Sequence, residues 1–192
     1  MLHLIVPAEV EELWDENNER FVYKQLSKPY PLDLEHSLIS LSKWESIWCK
    51  RYFESEEKSY EETKSYIQCM TITKNVPDEV YERIMVDQKL IKEITDYIKA
   101  PMTATTFTTY GQQTSDSNNS EMKKVSSERI YYWMIEHGIP VQFEKWHLNR
   151  LLTLIRVCNF SRNKGKNMSP EELTRTNAEI NRINRAKFNS KG

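Results

Sequence analysis

The chain has 192 residues, 39% of them hydrophobic, and a formal net charge of −1. This length suits one domain with appendages, or two small domains, and a core that needs no metal or disulfide. Its three cysteines form no C-x-x-C pair, which indicates a reducing compartment rather than a secreted disulfide scaffold. The N-terminal apolar run has no basic flank, and no apolar segment is long enough to span a bilayer, so a soluble, cytoplasmic protein without a membrane partner is expected.

Residues 1–30 predict a small β element. LHLIV and ERFVYKQL are rich in β-branched and aromatic residues, whereas ELWDENNERF between them contains the turn-forming residues Asp15, Asn17 and Asn18. We therefore expect an antiparallel element made from the two apolar segments, with HSLISL as a candidate for a further strand.

Residues 31–160 predict a helical core domain. Its first four helices each begin at a residue typical of helix N-termini: Ser42 in a capping box with Glu45, Ser59 in a capping box with Glu62, Pro77, and Asp87. Over residues 102–125 the composition changes to Thr, Ser, Asn, Gln and Gly without periodicity, which predicts a flexible insertion within this domain.

The densest apolar segment runs from Ser126 to Phe160 and predicts two helices that meet at a break. Ser127 is expected to cap the first helix, and Gly138 and Pro140 to end it. Beyond the break, apolar residues recur at spacings of three and four over more than half of the helix circumference: Trp146, Leu148, Leu151, Leu152, Leu154, Ile155, Val157 and Cys158. We expect this hairpin to be the centre of a helical bundle on which the β element packs, in an α+β fold that is mainly α.

Residues 161–192 predict a basic linker followed by a mobile helical arm. This segment contains eight basic and three acidic residues, whereas residues 1–62 contain seven basic and fourteen acidic ones. The asymmetry indicates a charged partner, association of one end with the other, or simply solvated surface. Ser169 and Pro170 begin a helix whose apolar face is too thin to be stable alone in water, so we expect it to order on a partner. The candidate partner-binding residues are Leu173, Ile180, Ile183, Arg182 and Arg185.

The sequence contains no complete catalytic or cofactor-binding set. Its four glycines are too scattered for a phosphate-binding loop. Glu144 and His147 form an E-x-x-H pair, but a carboxylate-bridged metal site needs a second such pair. Cys158 lies eleven residues from His147 among Leu and Ile, where a cysteine is usually inert. We therefore interpret His147 as a packed or surface histidine and Cys158 as an inert core residue, and we expect no enzymatic activity, metal or cofactor.

A stacking platform for single-stranded nucleic acid is a less favoured interpretation of the aromatic residues in the central segment. At helical spacing such residues more often belong to the core. The residues concerned are Tyr131, Tyr132, Trp133 and Trp146, with Arg150 and Arg156 beside them.

Four segments carry a resemblance that composition does not: LEHSLISLSKWESIW, YIQCMTIT, APMTAT and IYYWMIEHGIPVQFEKWHLNRLLTLIRVCN. In this order they resemble the tail assembly chaperones of long noncontractile-tailed phages, the siphophages, of Gram-positive bacteria. The resemblance covers roughly Leu32 to Gly192 and departs between Tyr110 and Ser120.

This resemblance implies a nonenzymatic protein of the host cytoplasm that binds the tape measure protein, keeps it soluble and recruits tail tube subunits during tail assembly. It also implies that the protein is absent from the mature virion, and it carries over no catalytic residue. A helical domain with amphipathic faces is compatible with a helical client and leaves association of several copies open. The alternatives are a nucleic-acid-binding or packaging-related phage protein that uses the basic residues from Arg162 to Lys191, and a structural head or tail component.

Overall fold

The computed structural model describes residues 1–16, 18–55, 57–105 and 123–164, the last five of them as backbone only. The strands are β1 (Leu2–Val6), β2 (Val10–Asp15), β3 (Arg20–Gln25) and β4 (Tyr30–Leu34). The α-helices of the described residues are α1 (Leu38–Trp48), α2 (Tyr60–Met70), α3 (Asp78–Val86), α4 (Gln88–Lys99), α5 (Ser127–Glu136) and α6 (Leu148–Lys164), with a 3-10 helix at Val141–Lys145. The predicted fold class, α+β and mainly α, is confirmed.

The four strands form two separate antiparallel pairs within one long ribbon. β1 pairs with β4, with Val6 opposite Tyr30, and β2 pairs with β3, with Val10 opposite Gln25. Three residues connect β1 to β2 whereas four connect β3 to β4, so the two ladders are offset by one residue. Pro7 and Pro29 lie in these connections, where a missing N–H does not interrupt a ladder.

The expected pairing of LHLIV with ERFVYKQL is therefore wrong. We expected ELWD to be part of a connection because turn-forming residues lie beside it, but ELWD belongs to strand β2. The turn occupies only the four residues between Asp15 and Arg20. The side chain of Asn18 donates to the Asp15 carboxylate at 2.8 Å and stabilises this turn. HSLISL is not a strand either, since α1 begins at Leu38.

The β1–β4 ladder packs on helices through one face. Leu4, Val6, Leu32 and Leu34 are buried and alternate with exposed residues such as Ile5, as expected for a strand with one covered face. They share a core cluster with side chains of α1 to α4: Trp44, Tyr66, Ile67, Met70, Val80, Tyr81, Ile84, Leu90, Ile94 and Tyr97.

A second core cluster joins α1 to the central hairpin. It contains Leu38, Leu41, Val125, Ile130, Met134, Leu148, Leu151 and Ile155. The hairpin is thus the centre of one of two clusters rather than of the whole domain. Its buried face is also narrower than predicted, since Leu152 is only half-buried and Val157 is exposed.

Helices α2 and α4 have the predicted residues as N-caps, whereas α1 and α5 do not. Asp87 accepts from the N–H groups of Lys89 and Leu90, and the capping box of Ser59 with Glu62 is confirmed. Gly138 adopts the predicted left-handed conformation after α5, with φ 64°. The other predicted caps, at Ser42 and Ser127, are wrong.

The true cap of α1 is Ser37, which forms a reciprocal capping box with Ser40 and starts the helix before Ser42. Helix α5 begins at Ser127 itself, so the cap position belongs to Ser126, which makes no side-chain cap bond. The N–H of Ser127 instead donates to the carboxylate of Glu45 at 2.7 Å. The other oxygen of Glu45 accepts from the N–H of Tyr52 at 2.9 Å, so one carboxylate joins α1, the loop after it and the start of α5.

Replacing Glu45 by Ala is expected to lower the free energy of unfolding by about 3 kcal/mol, because two backbone N–H groups lose an ionised acceptor and the side chain is 7% exposed. Chemical denaturation followed by far-ultraviolet circular dichroism measures this loss. Exposed Glu57→Ala is the matched control and should change stability by less than about 0.5 kcal/mol. Equal effects in the two variants would show that Glu45 does not hold the helices together.

No helix of the described residues is long and apolar enough to cross a membrane.

Candidate interaction surface

The β2–β3 hairpin is the part of the described chain with the most exposed apolar surface. Every residue of β3 is exposed, and so is every residue of β2 except Asp15. Of the eighteen exposed large hydrophobic residues among those described, seven lie between residues 10 and 26: Val10, Leu13, Trp14, Phe21, Val22, Tyr23 and Leu26. An isolated two-stranded hairpin is marginally stable in water, and clustered exposed apolar residues mark binding sites.

The pairing register gives the hairpin two different faces, because directly opposed residues share a face and successive residues alternate. The aromatic face consists of the pairs Val10–Gln25, Glu12–Tyr23 and Trp14–Phe21. The opposite face consists of the pairs Glu11–Lys24, Leu13–Val22 and Asp15–Arg20. Aromatic rings therefore lie on one face only, and the other face carries one aliphatic pair between two pairs of opposite charge.

The rings of the aromatic face are ordered by their own contacts. Trp14 and Phe21 pack edge to face with ring centroids 4.8 Å apart, yet remain 52% and 57% exposed. The hydroxyl of Tyr23 donates to the Glu12 carboxylate at 2.9 Å, and this hydrogen bond raises the pKa of Tyr23. The face is thus preorganised while more than half of its largest side chains stays in water, as an anchor for a partner requires.

The hairpin is acidic. Residues 10–25 contain five acidic and two basic side chains. Two of the acidic residues, Glu16 and Glu19, lie in the turn at its tip. A partner that covers the aromatic face therefore meets a negative field, which favours a basic segment.

Arg83 of α3 attaches the base of the hairpin to the helical body. Its Nη1 donates to the carbonyl of Pro7 at 3.0 Å and to the hydroxyl of Ser27 at 2.7 Å, so both connecting segments bind one guanidinium. The N–H of Leu26 also donates to the carbonyl of Glu9 at 2.8 Å. These bonds define where the hairpin leaves the body.

The residues predicted to bind a partner, Leu173, Ile180, Ile183, Arg182 and Arg185, lie outside the described residues. The hairpin was missed as a binding surface because ELWD was assigned to a connection and ERFVYKQL was expected to pair with LHLIV. The signal available in the sequence was that large apolar residues occur on both sides of an acidic turn, in Leu13, Trp14, Phe21 and Tyr23, with no second apolar segment assigned to cover them.

The E-x-x-H pair does not form a metal site. The Glu144 carboxylate accepts from the hydroxyl of Tyr131 at 2.9 Å, whereas His147 is buried elsewhere, with Nε2 donating to the Tyr97 carbonyl at 3.1 Å. Nδ1 of His147 accepts from the N–H of Asn149. Both ring nitrogens are occupied, so His147 has none left to activate Cys158. Among the described residues, no three His, Cys, Asp or Glu side chains are grouped to hold a metal ion.

Two rings of the less favoured stacking platform, Trp146 and Trp133, have contacts of their own, whereas Tyr132 is 60% exposed. Trp146 stacks on Phe143 with centroids 4.0 Å apart, and the guanidinium of Arg150 lies 4.2 Å from its ring centroid. Arg129 lies over Trp133 at 5.8 Å. A base would have to displace these partners, so the arrangement is not an open platform.

The cleft between α2 and α4 has a volume of about 260 Å³ and is lined by apolar residues such as Ile67, Ile94 and Ile98. Lys58 at its edge donates to the carbonyls of Tyr52 and Ser55, both at 2.8 Å, and lies 4.1 Å from the ring centroid of Tyr52. Burial lowers the pKa of this lysine. Its contacts give Lys58 a structural role in holding the loop after α1.

Two histidines are buried between the core clusters. His36 is 2% exposed and shares a hydrogen bond of 2.5 Å with the Tyr66 hydroxyl, and its ring packs edge to face on His147 with centroids 5.1 Å apart. Burial, with a smaller contribution from His147, lowers the pKa of His36 to about 3. Burial also lowers the pKa of His147. Both histidines are therefore neutral at physiological pH.

Comparisons with family models, curated proteins and solved structures found no match to this chain.

Proposed function

We propose that this protein is a binding protein without enzymatic activity and, more particularly, a tail assembly chaperone of a siphophage. In this role it binds the tape measure protein in the host cytoplasm, keeps it soluble and recruits tail tube subunits, and it does not remain in the virion. The four-segment resemblance motivates the particular role. The observation that carries the proposal is the aromatic face of the hairpin, which is ordered and exposed at the end of a well-packed body.

The chemistry of this face suits a chaperone that acts without ATP. Trp14, Phe21 and Tyr23 supply a large apolar area at low cost in side-chain entropy, because aromatic rings have few rotatable bonds. The acidic residues around them favour a client whose exposed apolar stretch is flanked by basic residues. Binding of such a stretch would hide it from other client molecules and prevent aggregation.

Co-expression with the tape measure protein of the same phage tests the proposal. The wild-type protein should move most of the client into the soluble fraction. The double variant Trp14→Ser with Phe21→Ser should solubilise at least about tenfold less client. Truncation of two anchoring aromatic residues costs about 2 kcal/mol or more of binding free energy in typical interfaces. Quantitative gel analysis of soluble and insoluble fractions measures it.

Leu13→Ser with Val22→Ser is the matched control, because it removes one cross-strand apolar pair from the opposite face and should retain most of the solubilisation. If the wild-type protein leaves the client insoluble, the proposed function is wrong. Binding of DNA with a steep loss of affinity in salt would instead support the nucleic-acid alternative, which the acidic hairpin does not favour.

A further inference from the structure

We propose that the aromatic face of the hairpin is also the docking site for residues 165–192 of the same chain, here called the tail. In this contact the tail covers the aromatic face. The inference goes beyond the proposed function and does not depend on it, because hairpin and tail belong to one chain.

Charge complementarity is the first argument. The hairpin, residues 10–25, contains five acidic and two basic side chains, whereas the tail contains six basic and three acidic ones. The two segments therefore carry net charges of equal size and opposite sign. A second copy of the hairpin stacked on the first would instead bring two acidic surfaces together, which disfavours self-association through this face.

The apolar residues supply the second argument. In the helix predicted from Ser169, the side chains of Leu173, Ile180 and Ile183 share one face and span about 15 Å along the axis. Strand β2 has six residues and is about 17 Å long, so the aliphatic row matches the length of the aromatic face. Arg182 lies on the other side of that helix, where it contributes charge rather than contact.

The tail is also long enough to reach the hairpin. Helix α6 ends at Lys164, and eight residues separate it from Leu173. Residues 165–168, when extended, and the first turn of the helix predicted from Ser169 together span about 23 Å. That distance exceeds the radius of gyration of a body of this size, about 15 Å, so the tail can lie on a face of its own chain away from the end of α6.

Limited trypsin digestion of the full chain, followed by mass spectrometry, tests the contact. Cleavage after Arg175, Arg182 and Arg185 reports release of the tail, and cleavage after Arg20 and Lys24 reports opening of the hairpin. In Trp14→Ser with Phe21→Ser, tail cleavage should be about tenfold faster than in the wild-type protein, because proteolysis follows the population of the released form. Leu13→Ser with Val22→Ser should leave the tail rate within about twofold of wild type.

Combining the hairpin and tail variants distinguishes the loss of a direct contact from a general increase in flexibility. Replacing Leu173, Ile180 and Ile183 by Ser should raise tail cleavage by about the same factor as the hairpin variant. The combined variant should show no further increase, because each change removes the same contact. Additive effects, unchanged tail cleavage in Trp14→Ser with Phe21→Ser, or protection that grows with protein concentration would each overturn the proposal. The last outcome would assign the contact to a second copy.

These outcomes are independent of the client experiment. A protein that solubilises the tape measure protein but shows no tail protection keeps the proposed function and loses this inference. If the tail is protected but the client remains insoluble, this inference stands and the proposed function is wrong.

Discussion

Leu151→Asp should unfold the domain. Leu151 is fully buried in the cluster that joins α1, α5 and α6, among side chains such as Leu38, Leu41 and Ile130. A carboxylate placed there is either an unpaired buried charge or must take up a proton, and a shaped apolar contact is lost in both cases. The expected loss is at least about 4 kcal/mol, a large fraction of the stability of a typical domain.

Leu152→Asp is the matched comparison on the same helix. Leu152 is half-buried at the edge of the cluster, so its carboxylate can reach water and the expected loss is about 1–2 kcal/mol. Thermal melts followed by far-ultraviolet circular dichroism distinguish the two variants. A cooperative melt close to wild type in Leu151→Asp would contradict the assignment of α6 to the core, and equal losses in both variants would contradict the direction of its buried face.

Acid should destabilise the fold through His36. Its pKa is about 3 in the folded state because of burial, whereas an unfolded histidine titrates near 6.5. Below about pH 6.5 the unfolded chain therefore binds a proton that the folded chain does not, and the free energy of unfolding falls as pH falls. The contribution is fully present above the unfolded pKa and is lost by the time the pH reaches the folded value.

At about 1.4 kcal/mol per pH unit, His36 alone should remove about 4 kcal/mol between pH 6.5 and 3.5. His147 acts with the same sign, because burial lowers its pKa as well. Protonation of its Nδ1 would also break the bond from the Asn149 N–H. The groups that face the pair are the hydroxyl of Tyr66 and, beside His147, the ring of Tyr97, the Glu35 carboxylate and the N-terminal ammonium group.

Urea denaturation at half-unit pH intervals measures the slope in wild type and His36→Asn. The His36 variant retains a hydrogen-bonding group but cannot titrate, so its slope between pH 6.5 and 3.5 should be lower by about 1.4 kcal/mol per pH unit. An unchanged slope in His36→Asn would mean that the acid response comes from other groups.

The sequence by itself determined the features whose physical cause lies within one turn of chain. The capping box of Ser59 with Glu62, the Asp87 cap and the left-handed Gly138 each depend on atoms a few residues apart. The β-branched and apolar composition of LHLIV likewise predicted a strand where β1 lies. The mainly helical α+β class follows from these local signals.

Tertiary structure decided the features that join distant parts of the chain. Ser42 and Glu45 match a capping box, but a second local signal, Ser37 with Ser40, starts α1 earlier. Glu45 instead binds the N–H of a residue 82 positions away. Local sequence alone cannot decide between two candidate N-caps when the choice depends on which side chains the resulting helix buries.

The candidate site illustrates the same limit. The composition of ERFVYKQL predicts a strand where β3 lies, whereas ELWD of β2 was assigned to a connection, so the sequence did not predict the hairpin. The tertiary structure shows that the β1–β4 ladder packs on the helices, whereas the aromatic face of the β2–β3 hairpin remains exposed to water. Whether the face of a strand is buried depends on which element packs against it. The sequence of a strand shows which residues share a face, but it does not show which element covers that face.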